Sequence, residues 1–198
     1  MATVKDTSKR DPKRERKVSV SDFIYKHSPI KKGTIVVKNE DTPLTAYNKI
    51  MSRLYLGNQL AAKDPKFFES KKIKAVLNCS KDIPNTFAKK DVEYMRIPID
   101  DSLREVDFNK AHLFMPAAVE FIHKHIVLQG ENMLVNCAMG RQRSACMVAA
   151  YLMAKKNLTP KQACKLILEK RPEAFHFGMS LNFEKSLERY YQDLQKCK

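Results

Sequence analysis

The chain has 198 residues, 43% hydrophobic and 30% charged, which is enough for one well-filled core and too little for two comfortable domains. It contains no apolar run of about 18 residues, and its N-terminal stretch MATVKDTSKRDPKRERK is charged where a secretion signal is apolar. Neither a membrane span nor secretion is indicated, and a cytoplasmic protein is expected, with nuclear import as an alternative.

The net charge of +15 points to anionic partners without choosing among phosphates, acidic proteins, nucleic acid and membrane surfaces. Residues 1–20 hold seven Lys/Arg against three Asp/Glu and almost nothing apolar, so burial cannot offset the entropy of ordering them. They are expected to form a mobile basic tail. Its cluster of Lys9, Arg10, Lys13, Arg14, Arg16 and Lys17 reads as a solvated charge run, as a nuclear-import signal, or as an arm for an acidic partner or nucleic acid. Residues 21–49 are assigned to an N-terminal extension, with a helix as one option, and residues 50–195 to the main domain.

From residue 50 onward, short apolar segments alternate with helical periodicity, the pattern of an α/β domain with a central, mostly parallel twisted sheet of about four to five strands flanked by helices. The strand candidates are 53–56, 74–78, 93–97 and 133–136. Between the last two, Ala111, Met115, Ala118, Ile122 and Ile126 recur at helical spacing and predict a crossover helix, with Pro116 near its start or at a bend. A further helix is expected from Ser144, with Ala145, Val148, Ala149, Leu152 and Met153 on its buried face. Thr159-Pro160-Lys161-Gln162 reads as a capping box with proline at the first helical position, and a last helix is expected from about Ser180. His112, His123, His125 and His176 show no ligand spacing and are expected at surfaces or helix ends. The five cysteines, an odd number without CxxC spacing, fit neither a disulfide framework nor a zinc site.

The chemistry concentrates between the strand ending at Asn136 and the helix beginning at Ser144. A loop from Cys137 to Arg143 that wraps an anion would converge the backbone N–H groups of Ala138, Met139, Gly140, Arg141, Gln142 and Arg143 on it, with the helix dipole behind them. The same setting suits a thiolate nucleophile at Cys137, because helix N-termini and nearby cations favour an ionised thiol. Gly140 permits the backbone geometry of such a cradle, and the planar fork of Arg143 matches two oxygens of a phosphoryl group. Arg141 reads either as a solvated side chain or as a second cation for substrates carrying more than one phosphate. Cys79 ends a strand expected beside the one leading to Cys137, which would allow a protective disulfide under oxidation.

Cys137-Ala-Met-Gly140-Arg-Gln-Arg143-Ser144 resembles the Cys-x5-Arg-Ser/Thr signature of the cysteine-based protein tyrosine phosphatases. Leu54-Tyr55-Leu56-Gly57, Ala75-Val76-Leu77-Asn78, Ile97-Pro98-Ile99-Asp100-Asp101, Ala150-Tyr151-Leu152-Met153 and Arg171-Pro172 followed by Phe177-Gly178 are similar to the dual-specificity phosphatases in order and spacing, over roughly residues 50–190. The resemblance implies a protein tyrosine phosphatase-like fold and a hydrolase acting on phosphorylated protein substrates through a phosphocysteine intermediate, without metal or cofactor. It assigns Cys137 as nucleophile, Arg143 as phosphate holder, Asp101 rather than Asp100 as general acid, and Ser144 as the hydroxyl that helps the thiolate depart. It is compatible with either a monomer or a homodimer. Alternatives within the enzyme class are RNA 5′-phosphates or phosphoinositides as substrates. One position departs from the family: Asn136 stands where most relatives have histidine before the cysteine, and an amide cannot carry charge. Slowed chemistry is expected, and a phosphoprotein-binding pseudophosphatase is the alternative of another class.

Overall fold

Segments such as Leu54–Gly57 and Met133–Asn136 are apolar at nearly every position, which suits strands buried on both faces of a sheet. The computed structural model describes residues 45–100, 105–175 and 181–197, with the side chains of 105–110 and 181–182 outside the description. The basic tail of 1–20, residues 21–44 of the extension, Asp101 and His176 therefore lie outside the described residues.

The sheet is formed by β1 (Tyr47–Met51), β2 (Leu54–Gly57), β3 (Ile73–Asn78), β4 (Glu93–Arg96) and β5 (Asn132–Asn136), in the order β1-β2-β5-β3-β4. β2, β5, β3 and β4 run parallel, and β1 pairs antiparallel with β2. The four parallel strands fall on the four expected segments. β1 was not anticipated. Its residues mix polar and apolar types, Lys49 is exposed and only Ile50 is buried, so the segment carries no strand periodicity.

The two faces of the sheet separate by residue parity. Leu54, Leu56, Ala75, Leu77, Met133 and Val135 face the larger core, shared with α2 (Glu105–His123), α3 (Arg143–Lys156), α4 (Pro160–Lys170) and α5 (Leu181–Lys196). Tyr55, Val76 and Leu134, one residue out of step, face a smaller core with Phe67 and Phe68 of the short helix α1 (Pro65–Ser70) and with Ile83 and Phe87 from the segment between β3 and β4. This is the period-2 alternation of a pleated strand, with apolar side chains on both sides.

α3 is buried all round from Ser144 to Met153, so the five-residue stripe expected for it understates its burial: Cys146, Met147, Ala150 and Tyr151 are enclosed as well. It packs against α2, α4 and α5. α4 opens with the expected capping box: the Thr159 hydroxyl accepts the Gln162 N–H at 3.3 Å, and Gln162 Oε1 accepts the Thr159 N–H at 2.8 Å. Pro116 lies inside α2 rather than at its start. His125 lies at a helix end, one of the two expected places, but it is buried there. It is 1% exposed, with Nδ1 2.7 Å from Glu131 and Nε2 3.5 Å from Glu93, in the π-helical turn Lys124–Leu128 that ends α2. Among the described residues, no helix is long and apolar enough to cross a membrane.

Leu77 is fully buried in the larger core, whereas Leu113 of α2 is 72% exposed. Leu77→Ala is expected to cost about 2–5 kcal/mol through lost burial and a residual cavity, read as a lower urea midpoint, while Leu113→Ala changes stability by less than about 0.5 kcal/mol.

Candidate active site

Parallel strands all end on one side, and here that side gathers Gly57 of β2, Asn136 of β5 and Asn78 of β3 in register. The chain leaves β5 at Asn136, passes through residues 137–142 and enters α3 at Arg143. Cys137 is thus placed at the carboxyl edge of the sheet, directly beneath a helix N-terminus. It is 2% exposed. α3 begins without a side-chain cap and without an acidic residue in its first turn, which leaves its N-terminal positive end uncompensated by either.

The loop is held from outside, carbonyl by carbonyl. The Ala138 carbonyl accepts the Gln59 N–H at 3.1 Å, and the Arg141 carbonyl accepts the Phe175 N–H at 2.9 Å. Between them, the Gly140 carbonyl accepts Nε of Arg171 at 2.8 Å and the Met139 carbonyl accepts Nη2 of Arg171 at 3.4 Å. No described peptide is cis. In a planar trans peptide the carbonyl and the next residue's N–H point opposite ways, so these four restraints turn the N–H groups of Met139, Gly140, Arg141 and Gln142 toward the centre of the loop. The result is a row of backbone donors arranged for an anion above Cys137.

Gly140 makes this path sterically feasible. Its φ is +65°, and a Cβ there would stand 2.5 Å from the Gly57 carbonyl oxygen. Gly57 is equally confined, since a Cβ on it would lie 2.9 Å from the Ala46 carbonyl oxygen. Close approach of the loop to the β2 end therefore rests on Gly140, while Gly57 lets β2 pass close to Ala46, Ala61 and Leu134. Asn58, just beyond, accepts the N–H groups of Leu60 and Ala61 on its side-chain oxygen at 2.9 and 3.2 Å. That turn presents the Gln59 N–H to Ala138.

Among the assigned residues, Ser144 is fully buried and its hydroxyl donates to Sγ of Cys137 at 3.2 Å. Arg143 donates from Nη1 to the Ile99 carbonyl at 3.4 Å, and its buried Nε has no hydrogen-bond partner among the described residues. Among the described residues, most of its donor capacity is therefore unspent. The guanidinium of Arg141 likewise has a buried Nε without a partner among the described residues. Asp100 forms an ion pair with Lys81, whereas Asp101 lies outside the described residues. Asn136 is fully buried, and neither atom of its amide has a hydrogen-bond partner among the described residues, although its backbone carbonyl accepts the Cys79 N–H at 2.7 Å. Leaving a buried polar group unsatisfied costs about 1–3 kcal/mol.

Cys79 sits one residue past the Asn78–Asn136 pairing and so flanks Cys137 on the neighbouring strand. Burial raises its thiol well above the ordinary range, the charge on Cys137 adds to the effect, and Arg143 opposes it. Burial also pushes the Cys164 thiol up. Both remain protonated at neutral pH and do not compete as nucleophiles.

Arg171 is the residue that sequence reasoning missed. Read only as part of an Arg-Pro pair, it is fully buried, and besides the two loop carbonyls it reaches the Thr45 carbonyl at 3.1 Å, the side-chain oxygen of Asn48, and the Glu173 carboxylate at 3.2 Å. A basic residue at a helix C-terminus ordinarily caps the dipole at the surface, so its type and place gave no sign of burial.

Residues 54–193 match the family model described as dual specificity phosphatase, catalytic domain. The chain belongs to the dual-specificity phosphatase family. It is 33% identical over 153 residues to human dual specificity protein phosphatase 9, covering 73% of this chain and 38% of that protein. It is 32% identical over 139 residues to dual specificity protein phosphatase Mpk3 of Drosophila melanogaster, covering 68% and 33% respectively. The chain thus spans well under half the length of these curated relatives. Among solved structures, a mouse putative dual specificity phosphatase complexed with zinc tungstate shares the fold with a TM-score of 0.66 and 28% identity, over 82% of this chain and 96% of that one. The α/β fold with a mostly parallel sheet is that of these phosphatases.

Gly140→Ala is expected to cost about 1–3 kcal/mol of stability, read as a lower urea midpoint. The added methyl clashes with the Gly57 carbonyl and an L-residue resists the positive φ, while the sheet and helices leave far-ultraviolet circular dichroism close to wild type.

Proposed function

We propose that the chain is a cysteine-dependent protein phosphatase of dual specificity that hydrolyses phosphotyrosine and phosphoserine/threonine in protein substrates. The observation that carries this reading is the ring of outward-held carbonyls from Ala138 to Arg141 around a buried cysteine whose sulfur accepts the Ser144 hydroxyl. A substrate phosphoryl group seated there accepts the inward N–H groups, and the unspent donors of Arg143 close on two of its oxygens. These contacts strengthen as charge spreads over the equatorial oxygens in the transition state.

In the first step the Cys137 thiolate forms a sulfur–phosphorus bond as the bond from phosphorus to the seryl, threonyl or tyrosyl oxygen breaks. Asp101 supplies the proton that the leaving oxygen takes. The Asp100 carboxylate is already engaged by Lys81, which supports Asp101 as the acid. In the second step Asp101 takes a proton from water, the water oxygen attacks phosphorus, and the sulfur–phosphorus bond breaks. The Ser144 hydroxyl, already on Sγ at 3.2 Å, stabilises the departing thiolate.

Two observations favour second readings. Arg141 has a guanidinium nitrogen without a partner beside the loop, which suits a substrate with a further anionic group, such as an RNA 5′-phosphate or a phosphoinositide. The uncharged, buried Asn136 favours a weak catalyst or a phosphoprotein binder. Hydrolysis of p-nitrophenyl phosphate and of phosphotyrosine and phosphothreonine peptides by the wild type, Cys137→Ser and Asp101→Asn separates these. Cys137→Ser is expected to fall to background, and Asp101→Asn to lose about 10²–10⁴-fold in kcat on peptides. A wild type no faster than Cys137→Ser that still binds phosphopeptide sinks the enzyme reading, and RNA or inositol-lipid turnover far above peptide turnover changes the substrate.

A further inference from the structure

A thiolate at Cys137 needs positive potential around it, and the residue before it supplies none, because Asn136 is an amide. The charged and titratable groups facing the loop come from several elements. Arg141 and Arg143 belong to the loop and the first turn of α3, Cys79 to the end of β3, Asp100 with its partner Lys81 to the segments after β4 and β3, and Arg171 and Glu173 to the turn after α4. Of the cations, Arg171 alone is fully buried. Arginine keeps its charge at any physiological pH, and a charge out of contact with water is screened far less than one at the rim.

Resting on the reading of Cys137 as nucleophile, we propose that the pair formed by buried Arg171 and partly exposed Glu173 sets how readily Cys137 carries negative charge: Arg171 is a positioning residue and permanent countercharge, and Glu173 attenuates it. Three observations carry the inference. Arg171 holds the Gly140 and Met139 carbonyls from outside, so the same side chain aims the loop's N–H groups inward and adds its own field behind them. Glu173 is close enough to weaken that field, at 3.2 Å from Nη2, yet its buried Oε2 makes no hydrogen bond among the described residues, so the neutralisation lacks the reinforcement of a bonded pair. Finally, burial lowers the proton affinity of Arg171 while the charges on Glu173 and Cys137 raise it. Arg171 and Cys137 are thus close enough to interact electrostatically.

A brace without electrostatic influence makes a different prediction from a countercharge. Loosening a brace at either residue disturbs the loop in the same sense, whereas removing the cation and removing its attenuating anion act on Cys137 in opposite senses. Glu173→Gln preserves an oxygen for the Thr45 N–H, which Glu173 now accepts at 3.2 Å.

The test is the rate of Cys137 alkylation by iodoacetamide in the full chain, followed by mass spectrometry of the Cys137 peptide from about pH 5 to about pH 9. At about pH 6, Glu173→Gln is expected to react several-fold faster than wild type and Arg171→Gln about tenfold slower, with Arg171→Lys between Arg171→Gln and wild type and all rates converging at high pH. If circular dichroism shows that Arg171→Gln does not fold, Glu173→Gln decides alone. A Glu173→Gln variant no faster than wild type at low pH, or a rate ratio constant across pH, overturns the inference. Alkylation needs no turnover, so the two readings fail separately. A chain that hydrolyses phosphopeptide with unmoved alkylation keeps the enzyme and loses the countercharge. A chain that hydrolyses nothing but shows the opposed shifts does the reverse.

Discussion

A guanidinium group buried without access to water has to find acceptors from the protein, and Arg171 takes them from parts of the chain far apart in sequence. The Thr45 carbonyl and the Asn48 side chain lie at the N-terminal edge of the sheet, Met139 and Gly140 lie in the loop that follows Cys137, and Glu173 comes two residues after Arg171. Breaking such a buried charge from its partners typically costs about 3–5 kcal/mol, so none of these segments moves independently of the others. The antiparallel strand β1 acquires a purpose from this constraint. It adds little to the larger core beyond Ile50 and Met51, yet it carries the Asn48 oxygen that fixes the guanidinium supporting the loop.

The site also depends on how closely two backbones approach. A loop whose N–H groups all turn inward must send its carbonyls outward, and outward here means against the end of β2. Gly57 and Gly140 meet with no room for a methyl group on either. The parallel run of β2, β5 and β3 brings their ends level, so the approach is set by sheet register rather than by the loop itself. Behind the loop, α3 is enclosed on all sides and cannot recede. The loop is thus held between two rigid bodies, a strand end and a buried helix N-terminus, which is the condition for donors that need no rearrangement.

What the sequence revealed follows from where its signals are local. The parallel strands declared themselves as apolar runs, α4 as a capping box confined to four consecutive residues, and the loop as a thiol, a glycine and an arginine at fixed spacing before an apolar helix. The features that stayed hidden are those decided by distant partners. β1 shows no strand periodicity because only one of its residues is buried, and it owes its place to pairing with β2. His125 resembles any helix-end histidine until Glu131 and Glu93 enclose it. Arg171 reads as a surface cation, since nothing within several residues of it announces that residues 45, 48, 139 and 140 will supply its acceptors. Asn136 was legible as an uncharged substitution, but its complete burial was not.

Three arginines surround the loop, and their difference in hydrogen bonding assigns them different work. A donor already satisfied cannot bind a ligand without giving up a bond of similar worth, so Arg171, with loop carbonyls, Thr45, Asn48 and Glu173 around it, is committed to structure and field. Arg143 spends one donor on the Ile99 carbonyl, which orients its fork beside the segment leading to Asp101, and its buried Nε has no partner among the described residues. Arg141 differs again: its backbone carbonyl is fixed by Phe175 while its buried Nε has no partner among the described residues. Its position is determined but its guanidinium is not committed, and that combination suits a residue that discriminates among substrates. Identity of residue type therefore says little at this site. Among the described residues, the count of donors already engaged separates the arginine that shapes the loop from the two that are less committed.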